Sequence, residues 1–164
     1  MILISKSTPE HAQGIHAIEK ESLSDPWSVD SILYEIKNKH SICLVATLKE
    51  TASLSEGSGS TPIGLVIGHV TMRHIINEGH INNIVVGLKY RRLGVASLLM
   101  ETLFQEAKVR EMIGLTLEVR VSNKAALSLY NNFGFIIEGH RKNYYSHPNE
   151  DAAIMWKEFK DGAK

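Results

Sequence analysis

The sequence predicts an α+β protein: one mixed, mostly antiparallel β-sheet flanked by helices. Three observations carry that prediction. Short β-branched runs alternate with amphipathic stretches at helical spacing, and together they read β-α-α-β-β-β-α-β-α-β-β. The chain has 164 residues, which suits a single domain over 1–164 that buries roughly 70% of the surface exposed by the unfolded chain. The hydrophobic share of 43% and charged share of 22% are those of a globular protein and exclude a chain disordered throughout.

The elements follow in order. Ile2 to Ile4 reads as a short strand. Thr8-Pro9-Glu10 opens a helix, because Thr8 can cap and Pro9 suits the first helical position. That helix runs to about Glu21, with Ala12, Ile15 and Ile18 inward. Asp25-Pro26-Trp27 breaks the chain, and Ser28 caps a second helix whose Val29, Ile32, Leu33 and Ile36 share a face. Ser41 to Leu48 and Ile63 to Met72 are strands, joined by a Ser-, Thr- and Gly-rich segment from Lys49 to Pro62 that reads as a mobile hairpin loop. Glu78 to Val86 is a further strand. Gly94 to Arg110 is amphipathic, with Val95, Leu98, Leu99, Thr102 and Leu103 on the buried side. In Leu115 to Val121, Leu115, Leu117, Val119 and Val121 point one way and Thr116, Glu118 and Arg120 the other. Asn123 caps a short helix through Asn132, and Gly134 ends it. Phe135 to Gly139 and Ala152 to Trp156 are the last strands.

Charge and cysteine content narrow the function classes. Lys plus Arg and Asp plus Glu each number 18, so the chain lacks the excess positive charge of a strong nucleic-acid binder. The lone Cys43, in the apolar run Ile42 to Val45, reads as a small buried hydrophobe and permits no intrachain disulfide. The apolar start, Met1 to Ile4, is too short for a signal peptide, and no run reaches the 18 apolar residues of a membrane span. These features lead us to expect a cytoplasmic protein without a membrane partner. The eight histidines show no ligand spacing, so no metal site is expected.

One turn carries a chemical signal. The strand Ile81 to Val86 leads into Arg91-Arg92-Leu93-Gly94-Val95-Ala96-Ser97, and a helix follows. Small residues at Gly94 and Ala96 admit close backbone approach. The first helical N–H groups lack helical partners and carry the positive end of the dipole, which suits a phosphate. Taken alone, the turn is equally a solvated basic turn before a surface helix.

Arg-x-x-Gly-x-Ala after an Ile/Val strand resembles the acetyl-coenzyme A motif of the GNAT acetyltransferases. The likeness continues through Leu117 to Asn123, Ala125 to Tyr130, Asn131 to Phe135, Arg141 to Tyr145 and Glu150 to Ala152, and it resembles the RimI branch, which acetylates protein N-terminal amines. Before Ile81 the likeness is looser, with Asp25-Pro26-Trp27-Ser28 as its best match. The resemblance implies the GNAT fold, acetyl-coenzyme A as cosubstrate, and a protein N-terminus as acceptor. In the branch, that acceptor is the N-terminal alanine of a small-subunit ribosomal protein.

The resemblance also assigns roles. It makes Glu118 the general base and Tyr130 the general acid. It gives Arg91, Arg92, Leu93, Gly94, Val95, Ala96 and Ser97 to the pyrophosphate. Ile84, Val85 and Val86 would pair with the pantetheine arm through their backbone, and Asn123 and Ala126 would lie along the same cofactor. From the residues alone, Glu118 is also a surface carboxylate pairing with Arg120, and Tyr130 a core aromatic. Glu78 and His80 lie on a strand where related N-terminal acetyltransferases place acid/base groups. Tyr144 and Tyr145 match a loop that covers the acceptor in the family, or else pack in a hairpin; Trp27 lines the acceptor groove or anchors the second helix.

Two alternatives remain at this stage. One is broader N-terminal or small-amine acetylation, since Gly79-His80-Ile81 looks like the archaeal N-terminal acetyltransferases. The other is an RNA- or coenzyme A-binding module using Lys89-Tyr90-Arg91-Arg92, although no aromatic platform accompanies that patch. A monomer without direct nucleic-acid contact is expected.

Overall fold

The structure, a computed structural model, describes residues 1–49 and 63–160. The expected hairpin loop thus falls, but for Lys49, outside the described residues. Seven strands form one sheet: β1 (Ile2–Lys6), β2 (Ser41–Leu48), β3 (Leu65–Ile75), β4 (Glu78–Val86), β5 (Gly114–Arg120), β6 (Ile136–Ser146) and β7 (Asn149–Glu158). Their spatial order is β1-β2-β3-β4-β5-β7-β6. Every neighbouring pair is antiparallel except β4 and β5. That parallel step needs a crossover, which α3 (Val95–Val109) supplies.

The helices α1 (Ala12–Ser22) and α2 (Val29–Lys37) cover one face. Their Ala12, Ile15, Ile18 and Ile32 pack with Val45, Val66 and Val85. The other face carries α3 and α4 (Lys124–Asn132) over the larger core, which includes Leu99, Leu103, Leu115, Leu117, Phe135 and Met155. Burying a side chain of this size stabilises by roughly 1.5–3 kcal/mol, so this face contributes most of the apolar stabilisation.

The caps form as the sequence predicts. Ser28 Oγ accepts from Ser31 N at 3.1 Å, and Asn123 Oδ1 accepts from Ala126 N at 3.1 Å. Gly134 takes φ 82° just past α4. Thr8 and Pro9 start a 3-10 turn, Pro9–His11, that leads into α1. Other expectations need correction. Leu98 is exposed and Thr102 only half-buried, because α3 turns Leu99, Met100, Leu103 and Ala107 to the core instead. Val121 lies beyond the end of β5 and is exposed, since the chain turns there toward the Asn123 cap. The last two strands extend well past their apolar cores, because hairpin pairing through Tyr145↔Glu150 and Ser146↔Asn149 continues into polar sequence.

Two irregularities shape the centre of the sheet. The β4–β5 pairing stops at Ile81↔Leu117. Beyond it β4 stays with β3 as far as Val86↔Gly68, and β5 stays with β7 as far as Arg120↔Ala152. The sheet therefore forks. In addition, Thr71 faces Asn83 while Met72 faces Ile81, which leaves Asn82 as an extra, bulged residue at the root of the fork.

Candidate active site

The fork opens into a cleft of about 300 Å³. Ile81, Asn82, Asn83 and Ile84 of β4 form one wall, and Glu118, Val119 and Arg120 of β5 the other. Asn123, Ala126 and Tyr130 close the α4 side, while Leu23, Ser24, Asp25 and Trp27 of the α1–α2 connection and Tyr145 of β6 close the opposite side. Glu118 alternates with the core residues Leu117 and Val119 and so points to the α1/α2 face. Tyr130 belongs to the core on the α3/α4 face. Residues from both faces of the sheet thus meet in one opening.

Glu118 does not pair with Arg120, which bonds Glu150 at 3.2 Å instead. Its partners are His80, with Nε2 2.6 Å from Oε2, and Arg141, with Nε 3.5 Å from Oε1. His80 is therefore in direct contact with the candidate base. Glu78, at the start of β4 opposite Gly114, is not among the residues lining the cleft.

Tyr130 is both a core aromatic, 5.6 Å from the Phe135 ring, and a cleft residue. Burial pushes its phenol well above the ordinary tyrosine range, so it holds its proton at neutral pH. Tyr145 stacks under the Arg120 guanidinium at 4.3 Å. Burial, and then Tyr144, push its phenol up to about 12 against the pull of Arg120. Tyr144 itself is half-exposed at the rim. Trp27 packs on the smaller core cluster, as an anchor of the second helix would, and also lines the cleft.

The basic turn lies just past the C-terminal end of β4. Arg91, Arg92, Leu93 and Gly94 are exposed, Ala96 and Ser97 half-buried, and Val95 buried. Arg92 and Gly94 take φ values of 64° and 77°, a twist that only glycine adopts without strain. No side chain caps α3. Its first helical bond runs from Leu98 N to Gly94 O, so the N–H groups of Val95, Ala96 and Ser97 have no acceptor within the helix. A Cβ built on Gly94 would meet nothing within 4 Å, so a ligand can approach that backbone. In β4, Ile84 faces the cleft, while Val85 packs toward α1 and Val86 toward the α3 core. A strand-like ligand would meet the backbone edge that the fork leaves unpaired. Among the described residues no group of His, Cys, Asp and Glu side chains is placed to hold a metal ion. No helix among the described residues is long and apolar enough to cross a membrane. Cys43 is only partly buried, yet burial lifts its thiol to about 11, so it is not a thiolate at neutrality.

Sequence reasoning misses Arg141 as a partner of Glu118, and it misses a buried cluster around Glu19. Fully buried on α1, Glu19 accepts from Trp27 N at 2.7 Å and from Asn83 Nδ2 at 2.7 Å. It also lies 2.8 Å from His69 Nε2. A Glu on the inner face of an amphipathic helix was the available signal.

Comparison with known proteins identifies the family. Residues 12–135 match the model of the acetyltransferase (GNAT) family. The chain is 31% identical over 148 residues, 90% of its length and 89% of the relative's, to a Bacillus subtilis protein provisionally named ribosomal protein bS18-alanine N-acetyltransferase. It is 40% identical over 83 residues to the ribosomal protein bS18-alanine N-acetyltransferase of Salmonella typhimurium, spanning 49% of this chain and 56% of that protein. The crystal structure of the ribosomal-protein-S18-alanine N-acetyltransferase from Escherichia coli superposes with a TM-score of 0.82 at 26% identity, covering 100% of this chain and 97% of that one. Ard1 from Thermoplasma volcanium shares the fold, with a TM-score of 0.82 at 24% identity. A family match over that span, joined to a relative aligned along nearly its whole length, makes this chain a member of the acetyltransferase (GNAT) family.

Proposed function

We propose that the chain transfers acetyl from acetyl-coenzyme A to the α-amine of a protein N-terminus, with the N-terminal alanine of a small-subunit ribosomal protein as acceptor. The observation that carries this reading is the fork. Glu118 and Tyr130, from opposite faces of the sheet, both line the opening where β4 and β5 part. The acceptor assignment rests on the bS18-alanine specificity named for the Bacillus, Salmonella and Escherichia relatives.

The residues divide the work as follows. The free N–H groups of Val95, Ala96 and Ser97, with Arg91 and Arg92 beside them, hold the pyrophosphate, and Leu93 and Gly94 shape the turn. Ile84, Val85 and Val86 offer the unpaired β4 edge to the pantetheine amides, and Asn123 and Ala126 flank the same arm from α4. Acetyl-coenzyme A, when bound, supplies the activated thioester. An α-amino group has a pKa near 7.7–8.0, so a base must free its lone pair. Glu118 takes that proton, and His80, at 2.6 Å and one-third exposed, passes it toward solvent. The N–C bond forms as the C–S bond breaks, and Tyr130 gives its phenol proton to the departing sulfur.

The test is mass spectrometry of an alanine-starting ribosomal peptide incubated with protein and acetyl-coenzyme A. One acetyl on the α-amine is expected. Acetylation confined to polyamines or to lysine side chains would overturn the protein N-terminal assignment. A panel of peptides with different first residues measures breadth, and selectivity for alanine is the expected outcome.

A further inference from the structure

The bulge at Asn82 has a consequence for β4. In a regular strand Ile81 and Asn83 would point to the same face. Ile81 faces the α3 core. With the extra residue inserted, Asn83 instead pairs with Thr71 on the α1/α2 face. That is the face of His80, which pairs with Arg73, and of Glu118. The bulge thus turns an amide side chain out of the α3 core and onto the face of Glu118, in the cleft that both residues line.

That amide is oriented. Its Nδ2 donates to Glu19 Oε1 at 2.7 Å. Glu19 is itself fixed: it is fully buried, takes the Trp27 backbone N–H on its other oxygen, and has His69 Nε2 at 2.8 Å. A carboxylate only accepts, so the amide cannot flip without setting two oxygens against each other. Among the described residues Asn83 Oδ1 has no hydrogen-bond donor, and it is not one of the buried atoms lacking a partner. Asn83 is half-buried and lines the cleft, so its free oxygen is presented there.

We propose that Asn83 binds the acceptor: its Oδ1 accepts a hydrogen bond from the primary α-amine of the incoming chain and holds that nitrogen beside Glu118. Glu19, through its bond to the amide nitrogen, is the positioning residue. His69 Nε2 lies against Glu19 from β3 but makes no aligned hydrogen bond to it. The chemistry recognised is a cation or amine donor at the end of a peptide, so this inference rests on the acetyl-transfer reading above. It adds a contact that acts on the acceptor alone: Asn83 bonds α1 and lies on the α1/α2 face, opposite the α3 core.

The experiment is steady-state kinetics with an alanine-starting peptide and acetyl-coenzyme A, on the wild type, Asn83→Ala and Glu19→Gln, with thermal unfolding of all three. Asn83→Ala is expected to raise the peptide KM about tenfold and to leave the acetyl-coenzyme A KM unchanged. Glu19→Gln nearly preserves shape, but its new NH₂ group faces the amide. Asn83 then flips and shows the cleft a donor, so the peptide KM rises by a similar factor. A peptide KM within twofold of wild type in Asn83→Ala overturns the proposal. If Glu19→Gln lowers only the melting temperature and leaves the peptide KM in place, Glu19 is merely structural and the positioning claim falls. A wild type that acetylates no α-amine overturns the proposed function itself, and this inference with it, so the two failures are distinguishable.

Discussion

At the scale of a residue, Tyr130 joins a packing position to its proposed role as general acid. Its ring fills the core against Phe135, and its phenol reaches the cleft with the proton retained by burial. Removing only the hydroxyl should separate these purposes. Tyr130→Phe is expected to keep the wild-type melting temperature and to lower kcat about 100-fold, the low end of the usual worth of a positioned acid; an unchanged kcat would remove Tyr130 from the chemistry. Glu118 is held more firmly than a surface carboxylate, between His80 and Arg141. Replacing it with Gln removes the proton acceptor but keeps the shape, so a loss of kcat with an unaltered acetyl-coenzyme A KM is expected in initial-rate measurements.

At the scale of the element, the α4 N-terminus and the α3 N-terminus are opposite solutions to one problem. Both begin with backbone N–H groups that the helix cannot satisfy. In α4, Asn123 fills one of them with its own side chain. Asn123→Ala should cost about 1 kcal/mol of stability, measured by urea denaturation at neutral pH. In α3, Gly94 offers no side chain and leaves the donors open, as an anion site requires. The β4–β5 fork follows the same logic in a strand, where unmade ladder bonds leave the edge proposed to bind the pantetheine arm.

At the scale of the whole molecule, a charged pair ties α2 to the sheet. Glu35, nearly buried, is bound by Arg73 of β3 and by Ser41. Burial pushes its carboxyl up, but the bonds from Arg73 and Ser41 outweigh that and hold it below the ordinary range. A carboxyl whose folded pKa is depressed stabilises fully above its unfolded value of about 4.3, and the contribution is lost as pH falls through the lower folded value. Arg73→Ala should therefore destabilise the protein at pH 7 by about 1–2 kcal/mol. That is less than the 3–5 of a fully buried pair, because the arginine is 42% exposed. The deficit should shrink on acidification below pH 4, and a deficit independent of pH across that range would refute the ion-pair account.

The sequence by itself determined what depends on local periodicity and on residues adjacent in the chain. The α+β order is legible because inward residues recur every two or every three to four positions. The caps at Ser28 and Asn123 and the stop at Gly134 are legible because each acts within a few residues of itself. The Arg91–Ser97 turn is legible as a helix start with open backbone donors, because that depends only on its own backbone; the pyrophosphate is the proposed occupant. The tertiary structure alone decided which distant groups meet. His80 and Glu118 lie 38 residues apart and touch only because α3 returns the chain to place β5 beside β4. Arg141 and Glu19 enter through pairings set by the whole sheet. The bulge at Asn82 shifts the register by one residue, and only two strands laid side by side can reveal it. It reverses the face of Asn83, whose own letter in the sequence gives no sign of which way it points.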